Sequence, residues 1–262
     1  MKKLDVIVLA GGYATRLKPL SEFIPKPLLH VGGVPILNYI LQRVIEINPT
    51  RIIVSTNKKF EDNFRYWLKT LGDYNSLNEK IELVVEETNR EEEKLGAVSG
   101  IYYAITDAWI ENDLLVIAGD NLFDFNLRKL IKKMRETSSF SIALYNVKNL
   151  ELAKRYGVAF LSDGRIIKFV EKPKRPESTL ISTAIYTIPR EKLYLVEEYV
   201  TNPDIEKDRL GKFIEWLIYN KEEPVYGVVY DGVWFDIGDI DLYIAANKFV
   251  KKTGWNRRWL WP

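Results

Sequence analysis

The chain has 262 residues, of which 47% are hydrophobic and 28% are charged, and its net charge is only +2. This length suits one large domain or a core with a small appendage. The balanced charge gives no reason to expect a nucleic-acid or membrane partner. The lack of cysteine excludes disulfides and thiolate sites, and a single histidine, His30, excludes a polyhistidine metal site. Chemistry must therefore rest on carboxylates, lysines, arginines and backbone amides.

The sequence shows no targeting or membrane-spanning segment. The apolar run Val6 to Ala10 is too short for the hydrophobic part of a signal peptide. No stretch approaches the ~20 apolar residues of a transmembrane helix, so we expect a cytoplasmic protein. Gln42 is the only glutamine, and methionine and cysteine are scarce. This depletion of labile side chains favours a thermophilic source.

Five apolar runs of strand length follow one another along the first half of the chain, at 5–10, 51–56, 81–87, 113–120 and 140–147. Helical patterns lie between them: one starts with Pro35 as its first residue, and others cover 60–71 and 127–137. Alternating strands and helices predict an α/β fold with a mostly parallel sheet. The first strand is apolar at consecutive positions, which indicates cover on both faces.

The pattern changes after residue 150. Residues 156–173 read as a hairpin that turns at Asp163-Gly164. Further strands are predicted within 179–189 and 225–239, with helices near 191–200, 207–221 and 240–251. This half is expected to continue the sheet with antiparallel strands. The final residues 255–262 hold three of the seven tryptophans. We expect this tail to dock on its own chain; the alternative is a contact in a homo-oligomer.

A glycine turn follows the first strand. Gly11 and Gly12 let an anion approach successive backbone amides, and Arg16 and Lys26 add positive charge. The sequence has neither the G-x-G-x-x-G nor the G-K-[ST] form of a phosphate loop, and two glycines also suit an ordinary turn. Two prolines on either side of Lys26 form a rigid, helix-averse segment that fixes where its side chain points.

Three later segments carry candidate site residues. Asp120 ends an apolar run, where its carboxylate suits Mg²⁺ or the cap of a turn. Glu171 and Lys172 end a strand, where they either contact a sugar phosphate or form an exposed strand end. Asp236 lies among apolar residues and needs a partner, either a metal ion or a lysine.

Together these segments resemble the sugar-1-phosphate nucleotidyltransferase family, which includes glucose-1-phosphate thymidylyltransferase and its UTP-using relatives. The resemblance covers nearly the whole chain. Its specific part is the opening motif Gly11-Gly12-Tyr13-Ala14-Thr15-Arg16-Leu17, followed by Pro19-Leu20 and Pro25-Lys26-Pro27-Leu28. The family's later motifs follow in order at Gly119-Asp120-Asn121, Glu171-Lys172-Pro173 and Trp234-Phe235-Asp236-Ile237-Gly238.

The resemblance implies a Rossmann-like three-layer sandwich that forms a single domain over 1–262. Its parts would be a nucleotide-binding half (1–150), a sugar-phosphate-binding half (151–240) and a C-terminal helix and tail (240–262). Some relatives carry a C-terminal left-handed β-helix with acyltransferase activity. This sequence contains no hexapeptide repeat, so we expect no second activity.

The resemblance also implies a role for each matching residue. Arg16 and Lys26 would hold the nucleotide phosphates, and Asp120 and Asp236 would share Mg²⁺. Lys172 would hold the sugar phosphate and Glu171 the sugar hydroxyls. The remaining positions implied to contact nucleotide or sugar are Gly11, Gly12, Thr15, Leu95, Gly96, Gly157 and Tyr186.

The implied reaction joins a nucleoside triphosphate to a sugar 1-phosphate, with dTTP or UTP and glucose 1-phosphate favoured. The segment 94–101 departs from the family pattern near the base, and Ala184 stands where many members have glycine near the sugar. Two alternatives stay open. One is a non-catalytic regulatory relative, and the other is a nucleotidyltransferase for another phosphate, such as phosphocholine. His30 is expected to be structural.

Overall fold

The computed structural model of the protein describes residues 2–71 and 77–255. Its strands in these ranges are β1 (Leu4–Leu9), β2 (His30–Val31), β3 (Val34–Pro35), β4 (Arg51–Asn57), β5 (Ile81–Glu86), β6 (Asp113–Ala118), β7 (Asn121–Phe123), β8 (Phe140–Asn146), β9 (Gly157–Ser162), β10 (Arg165–Glu171), β11 (Leu180–Ile188), β12 (Val225–Tyr230) and β13 (Trp234–Asp236). Its α-helices are α1 (Ile36–Ile45), α2 (Glu61–Thr70), α3 (Leu77–Lys80), α4 (Ala97–Asp107), α5 (Arg128–Thr137), α6 (Leu150–Ala153), α7 (Tyr194–Thr201), α8 (Leu210–Tyr219) and α9 (Ile240–Thr253).

Within the described residues, nine strands form one sheet in the order β5-β4-β1-β6-β11-β8-β12-β10-β9. The first four are mutually parallel. Strand β11 runs antiparallel to both of its main neighbours, β6 and β8, whereas β12 is parallel to β8. The β9–β10 hairpin completes the edge. This arrangement confirms the predicted α/β fold with a mostly parallel sheet and added antiparallel strands.

Helices cover both faces of the sheet, and consecutive residues of the central strand serve the two layers. Val6 and Val8 of β1 pack in one hydrophobic core with α1, α2, α5 and α9. Ile7 packs in the other core with α4, α7 and α8. This is the two-sided burial that the continuous apolar run predicts. It also leaves the carboxyl ends of the parallel strands as the open edge of the sheet.

The predicted hairpin turn is confirmed, and one predicted helix start is shifted. Ser162 and Arg165 pair directly across the β9–β10 hairpin, and both Asp163 and Gly164 have positive φ, as a two-residue turn between twisted strands requires. Pro35 ends the short strand β3 and precedes the first residue of α1. Its extended ψ of 141° keeps it outside the helix.

Helix α4 and strand β7, both near the open edge, were not predicted from the sequence, whereas β13 lies within the predicted strand region 225–239. Helix α4 begins directly after Gly96, in the segment that departs from the family pattern. The three-residue strands β7 and β13 pair antiparallel, with Asp236 opposite Asn121. A run of three residues is too short to carry a periodic signal, yet this ribbon joins two segments that are 115 residues apart.

The start of the tryptophan-rich tail packs on the chain itself. The ring centroid of Trp255 lies 5.4 Å from that of Tyr39 and 6.2 Å from that of Phe249. The rest of the predicted tail, 256–262, lies outside the described residues. Within 2–71 and 77–255, no helix combines the length and apolar character that a bilayer span needs.

Candidate functional site

A cleft opens where the parallel strands end. It consists of two connected cavities of about 330 and 580 Å³. We name them the loop cavity, which borders the glycine turn, and the hairpin cavity, which borders β9 and β10. Residues that line both cavities are Arg16, Ala97, Ala118, Asp120, Asp208, Leu210 and Gly238. A ligand in one cavity can therefore reach a ligand in the other.

The glycine turn forms one wall of the loop cavity. Gly11, Gly12, Thr15 and Arg16 all line it. The turn is held from the neighbouring strand, since Asn57 Nδ2 donates a 2.8 Å hydrogen bond to the backbone oxygen of Gly11. Among the described residues, no atom would lie within 4 Å of a Cβ on Gly12. The backbone therefore faces open space there, as an anion-binding turn requires.

Lys26 lines the loop cavity, and its ammonium group is held beside a carboxylate that lines both cavities. Its Nζ is 2.8 Å from Asp120 Oδ2, and only 14% of its side chain is exposed. Burial lowers the pKa of Lys26, but the carboxylates of Asp120 and Asp236 outweigh burial, and the net pKa is raised above its ordinary value. Lys26 thus stays protonated beside two acidic groups, at the place that its flanking prolines fix.

The β7–β13 ribbon brings Asp120 and Asp236 together. The backbone N–H of Ile237 donates to the backbone oxygen of Asp120 at 3.0 Å. Burial, and then the charge of Asp120, raise the pKa of Asp236 to about 7, against the opposing effects of Lys26, Arg155 and Arg16. Two carboxylates that repel each other in a partly buried place favour a cation between them.

The donor set of these two residues fits Mg²⁺. Carboxylate oxygens are its preferred protein ligands, and Mg²⁺ commonly takes one or two carboxylates plus substrate phosphates and water. In the described part of the chain, no group of three or more histidine, cysteine, aspartate or glutamate side chains is arranged to hold a metal. A site built from Asp120 and Asp236 alone would therefore depend on phosphate oxygens to complete its coordination.

The end of β10 supplies the far wall of the hairpin cavity. Lys172 lines this cavity with Asp120 and Asp236. Its backbone has a positive φ of 47°, and its N–H donates to the oxygen of Tyr156 at 3.0 Å. The Lys172 side chain is 48% exposed, and its Nζ is 3.9 Å from Glu171 Oε1. The amine is thus available to a ligand in the cleft.

Glu171 is packed tightly under the floor of the hairpin cavity. A Cβ on Gly211 would lie 1.9 Å from its Oε2, and a Cβ on Gly157 would lie 3.0 Å from the same atom. Its own N–H donates to Glu215 Oε1 at 2.7 Å. Burial raises the pKa of Glu171, while Lys172 and Arg209 oppose this rise. Glycine is therefore required at position 211 for the carboxyl group to fit, while at position 157 it is required chiefly by the ring of Phe169, whose Cζ would lie 2.3 Å from a Cβ.

The other predicted positions divide between the two cavities, with one exception. Gly157 and the buried Tyr186 line the hairpin cavity, and the Tyr186 hydroxyl lies 2.9 Å from Ser182 Oγ. Gly96 lines the loop cavity with a positive φ of 89°. Leu95 is 37% exposed and is not among the residues that line either cavity. His30 also lies outside both cavities.

The cleft contains charged residues that the sequence interpretation did not single out, namely Glu86, Glu91, Lys94, Arg155, Asp208 and Arg209. Arg155 and Arg209 line the hairpin cavity, and Glu86 lines the loop cavity. Arg155 directly precedes the Tyr156-Gly157 pair that the family pattern singled out, so its position could have been recognised. The acidic run 86–94 is predicted from the sequence to be a solvated loop beside the base site, whereas the structure buries Glu86. Only its place at the carboxyl end of β5 could have indicated otherwise.

Comparison with known proteins gives the family. Residues 5–253 match the nucleotidyl transferase family. A relative from Sulfolobus acidocaldarius, provisionally named mannose-1-phosphate guanyltransferase, is 32% identical over 93% of this chain and 62% of its own length. A UTP–glucose-1-phosphate uridylyltransferase from Haloferax volcanii is 29% identical over 70% of this chain and 71% of its own length.

Solved structures show the same fold. A UDP-glucose pyrophosphorylase complexed with UDP-glucose superposes with a TM-score of 0.78 at 21% identity, covering 97% of this chain and 100% of that one. The chain spans little more than half the length of some curated relatives that it matches, 54% in one case. The match over 5–253 includes both cavities of the cleft. The chain therefore belongs to the nucleotidyl transferase family.

Proposed function

We propose that the protein joins a nucleoside triphosphate to a sugar 1-phosphate and releases pyrophosphate. The observation that carries this proposal is the shared boundary of the two cavities. Arg16 and Asp120 line both, Lys26 pairs with Asp120 there, and Asp236 is folded against it. Positive charge and paired carboxylates thus meet at the place where two phosphorylated ligands would touch.

The composition of the cleft suits this chemistry. A sugar-phosphate oxygen attacks the α-phosphorus as an anion, so no general base has to remove a proton, and the only histidine lies elsewhere. The main obstacle is repulsion between two polyanions. Arg16 and Lys26 would bind the nucleotide phosphates, and Lys172 would bind the sugar phosphate from the opposite wall. Such groups act by positioning and by stabilising charge in the transition state.

The residues of the site also support a role for Mg²⁺. When bound, this cation would neutralise charge on the phosphate oxygens and help to align them. Asp120 and Asp236 would hold it, and the Lys26 amine would then be free to turn from Asp120 towards a phosphate. Arg155, which already lowers the cost of an ionised Asp236, would support the carboxylates.

The choice of substrates forms the finer part of the proposal. By resemblance we favour UTP or dTTP and glucose 1-phosphate, and the name of the Haloferax volcanii relative agrees with this choice. The name of the Sulfolobus acidocaldarius relative points instead to a guanine nucleotide and mannose 1-phosphate. Glu171 would bind sugar hydroxyls in either case. Location in the cytoplasm and the absence of nucleic-acid and membrane partners remain predictions.

The test is pyrophosphate release by the purified chain with Mg²⁺. The panel crosses UTP, dTTP, GTP, ATP and CTP with glucose 1-phosphate, mannose 1-phosphate and phosphocholine, and mass spectrometry identifies the product. We expect a nucleoside-diphosphate sugar from at least one pair. Turnover with phosphocholine and CTP alone would favour the other nucleotidyltransferase. Binding without pyrophosphate from any pair would favour a non-catalytic relative, and either result would overturn the proposal.

A further inference from the structure

One short segment, Lys207–Gly211, contributes to the walls of both cavities, and we name it the connecting segment. Asp208 and Leu210 line both cavities, whereas Arg209 and Gly211 line the hairpin cavity alone. The segment runs directly into α8, which begins at Leu210. A change in its position would therefore alter the nucleotide side and the sugar side of the cleft together.

At its first end the connecting segment lies against the start of α4. The backbone N–H of Val98 donates to the oxygen of Lys207 at 3.1 Å. The backbone N–H of Ala97 donates to the oxygen of Asp208 at 3.4 Å. A Cβ on Gly96 would lie 2.8 Å from the oxygen of Lys207, so the close approach of the two backbones requires glycine there. The first N–H groups of a helix have no partner within the helix, and the connecting segment supplies acceptors for two of them.

At its other end the connecting segment covers Glu171. Gly211 leaves no room for a side chain, because a Cβ there would overlap Glu171 Oε2. Burial raises the pKa of Glu171, and the charges of Lys172 and Arg209 oppose this rise. Both the place and the charge of the proposed sugar-binding carboxyl group thus depend on where the connecting segment lies.

The connecting segment is less firmly packed than the elements that it joins. Most of it belongs to a stretch without helix or strand, residues 202–209, in which no residue is buried. The ion pair of Asp208 with Lys94, at 3.0 Å, leaves 49% and 44% of these two side chains exposed, and exposed pairs contribute little to stability. Segments with few buried contacts open at a low cost in free energy. The connecting segment is therefore expected to leave its place more readily than the strands around the cleft.

Tyr199 of α7 gives this stretch a buried anchor. Its hydroxyl donates a 2.7 Å hydrogen bond to the backbone oxygen of Glu206, directly before the connecting segment. Its ring is fully buried and lies edge-on to the rings of Phe213 and Trp216 in α8, with centroids 5.1 and 5.3 Å away. This packing fixes the direction of the hydroxyl. Because Tyr199 lines neither cavity, it can act on a ligand only through other residues.

We propose that the connecting segment places both substrate sites at once, and that Tyr199 is its positioning residue. This inference rests on the proposed nucleotide and sugar-phosphate sites. Each substrate needs the segment in its place and stabilises it there, so the substrate that binds first removes this cost for the second. The effect does not depend on which substrate binds first, because the coupling between two ligands is reciprocal.

The test is calorimetric titration of the whole chain with Mg²⁺, for the wild type and for Tyr199→Phe. The probes are glucose 1-phosphate and the α,β-methylene analogue of UTP, whose bridging carbon prevents the transfer, or the corresponding pair that gives turnover in the panel above. Each probe is titrated into the free chain and into the chain saturated with the other probe.

The variant leaves the backbone oxygen of Glu206 without its donor, and loss of one hydrogen bond commonly shifts an equilibrium by ~3- to 10-fold. We therefore expect each probe alone to bind Tyr199→Phe ~3- to 10-fold more weakly than the wild type. The second probe should bind with wild-type affinity, because the first has already fixed the connecting segment. Damage to one site alone would instead weaken that site whether or not the other is occupied.

The matched control is Tyr243→Phe. This hydroxyl also donates a 2.8 Å hydrogen bond to a backbone oxygen, that of His30, and Tyr243 lines neither cavity. The variant should bind both probes like the wild type. Unchanged affinities in Tyr199→Phe, or a loss that persists when the other probe is bound, would overturn the inference.

Gly96→Ala replaces Tyr199→Phe if circular dichroism shows that variant to be unfolded. The added methyl group presses on Lys207 from the α4 side, and Gly96 lines only the loop cavity. It should nevertheless weaken the binding of the sugar phosphate to the free chain. An unchanged affinity for the sugar phosphate in Gly96→Ala would then overturn the inference.

The outcomes also distinguish this inference from the proposed reaction. The expected pattern of affinities without pyrophosphate release from any pair would support the connecting segment and overturn only the proposed reaction. Turnover together with unchanged affinities in Tyr199→Phe would do the reverse. Failure of the wild type to bind any nucleotide or sugar phosphate of the panel would overturn both.

Discussion

At the scale of single residues, the proposed function depends on charged side chains that the fold holds at a cost in free energy. Lys172 holds a left-handed backbone conformation that non-glycine residues seldom adopt, and Asp236 and Glu171 are partly buried acids with raised pKa values. Local strain and unfavourable burial of this kind concentrate at functional sites. Because all three residues line the same cavity, their costs are most simply explained by the ligands that they bind.

Lys172→Ala is predicted to lower turnover by ~100-fold or more, since removal of one group that stabilises transition-state charge commonly costs 10²–10³ in rate. Circular dichroism should show an unchanged fold, because the side chain is half exposed. The matched control is Lys168→Ala, four residues earlier on β10, where the lysine pairs with Glu177 at 2.7 Å. Normal turnover in Lys172→Ala would remove the lysine from the mechanism.

Glu86 gives a prediction on stability that needs no ligand. Its pKa rises from 4.5 to about 7 on folding, because of burial. The folded chain therefore binds this proton more tightly than the unfolded chain does, and the resulting stabilisation is present below pH 4.5 and is lost as the pH rises through about 7. The loss is on the order of 3 kcal/mol.

The measurement compares wild type with Glu86→Gln in urea unfolding across this pH range. The free energy of unfolding of the wild type should fall relative to that of the variant as the pH rises. Parallel pH profiles would mean that Glu86 is not desolvated in the folded chain.

At the scale of elements, the cleft is shaped by a short two-stranded ribbon and by a helix that crosses the end of a long strand. The β7–β13 ribbon places Asp236 beside Asp120, and the crossing of α8 over β10 covers Glu171. The sequence predicted the long strands, the hairpin and most helices, because each carries a clear period or turn signal. It did not predict β7 or α4, since a three-residue strand and a helix that begins directly after Gly96 give weak local signals.

Gly211→Ala in α8 tests this crossing. The added methyl group would lie 1.9 Å from Glu171 Oε2, so the carboxyl group must move from its place in the hairpin cavity. Displacing one buried hydrogen-bonding group costs ~1–3 kcal/mol. We therefore expect the KM for the sugar phosphate to rise at least ~10-fold. The KM for the nucleotide is the internal control and should change little. Equal effects on both substrates would indicate a general loss of structure.

At the scale of the whole molecule, the sheet order decides which distant segments meet. Residues 120 and 236 were paired in advance only through resemblance to a family, since spacing alone cannot bring together side chains 116 positions apart. Lys26, Asp120, Lys172 and Asp236 lie around one cleft in the structure. Leu95 does not line it. Glu86 does line it, although it begins the acidic run 86–94 that the sequence predicts to be solvated. The single-domain organisation and the thermophilic source stay predictions.

The central claim is that Asp120 and Asp236 hold a divalent cation for the phosphates. It is tested most directly by electron paramagnetic resonance titration of Mn²⁺, in place of Mg²⁺, into the nucleotide-bound chain. Asp236→Asn should weaken Mn²⁺ binding by ~10- to 100-fold, the range found for residues that support a metal site, whereas Asp163→Asn in the distant hairpin turn should not. An unchanged affinity in Asp236→Asn would contradict the account.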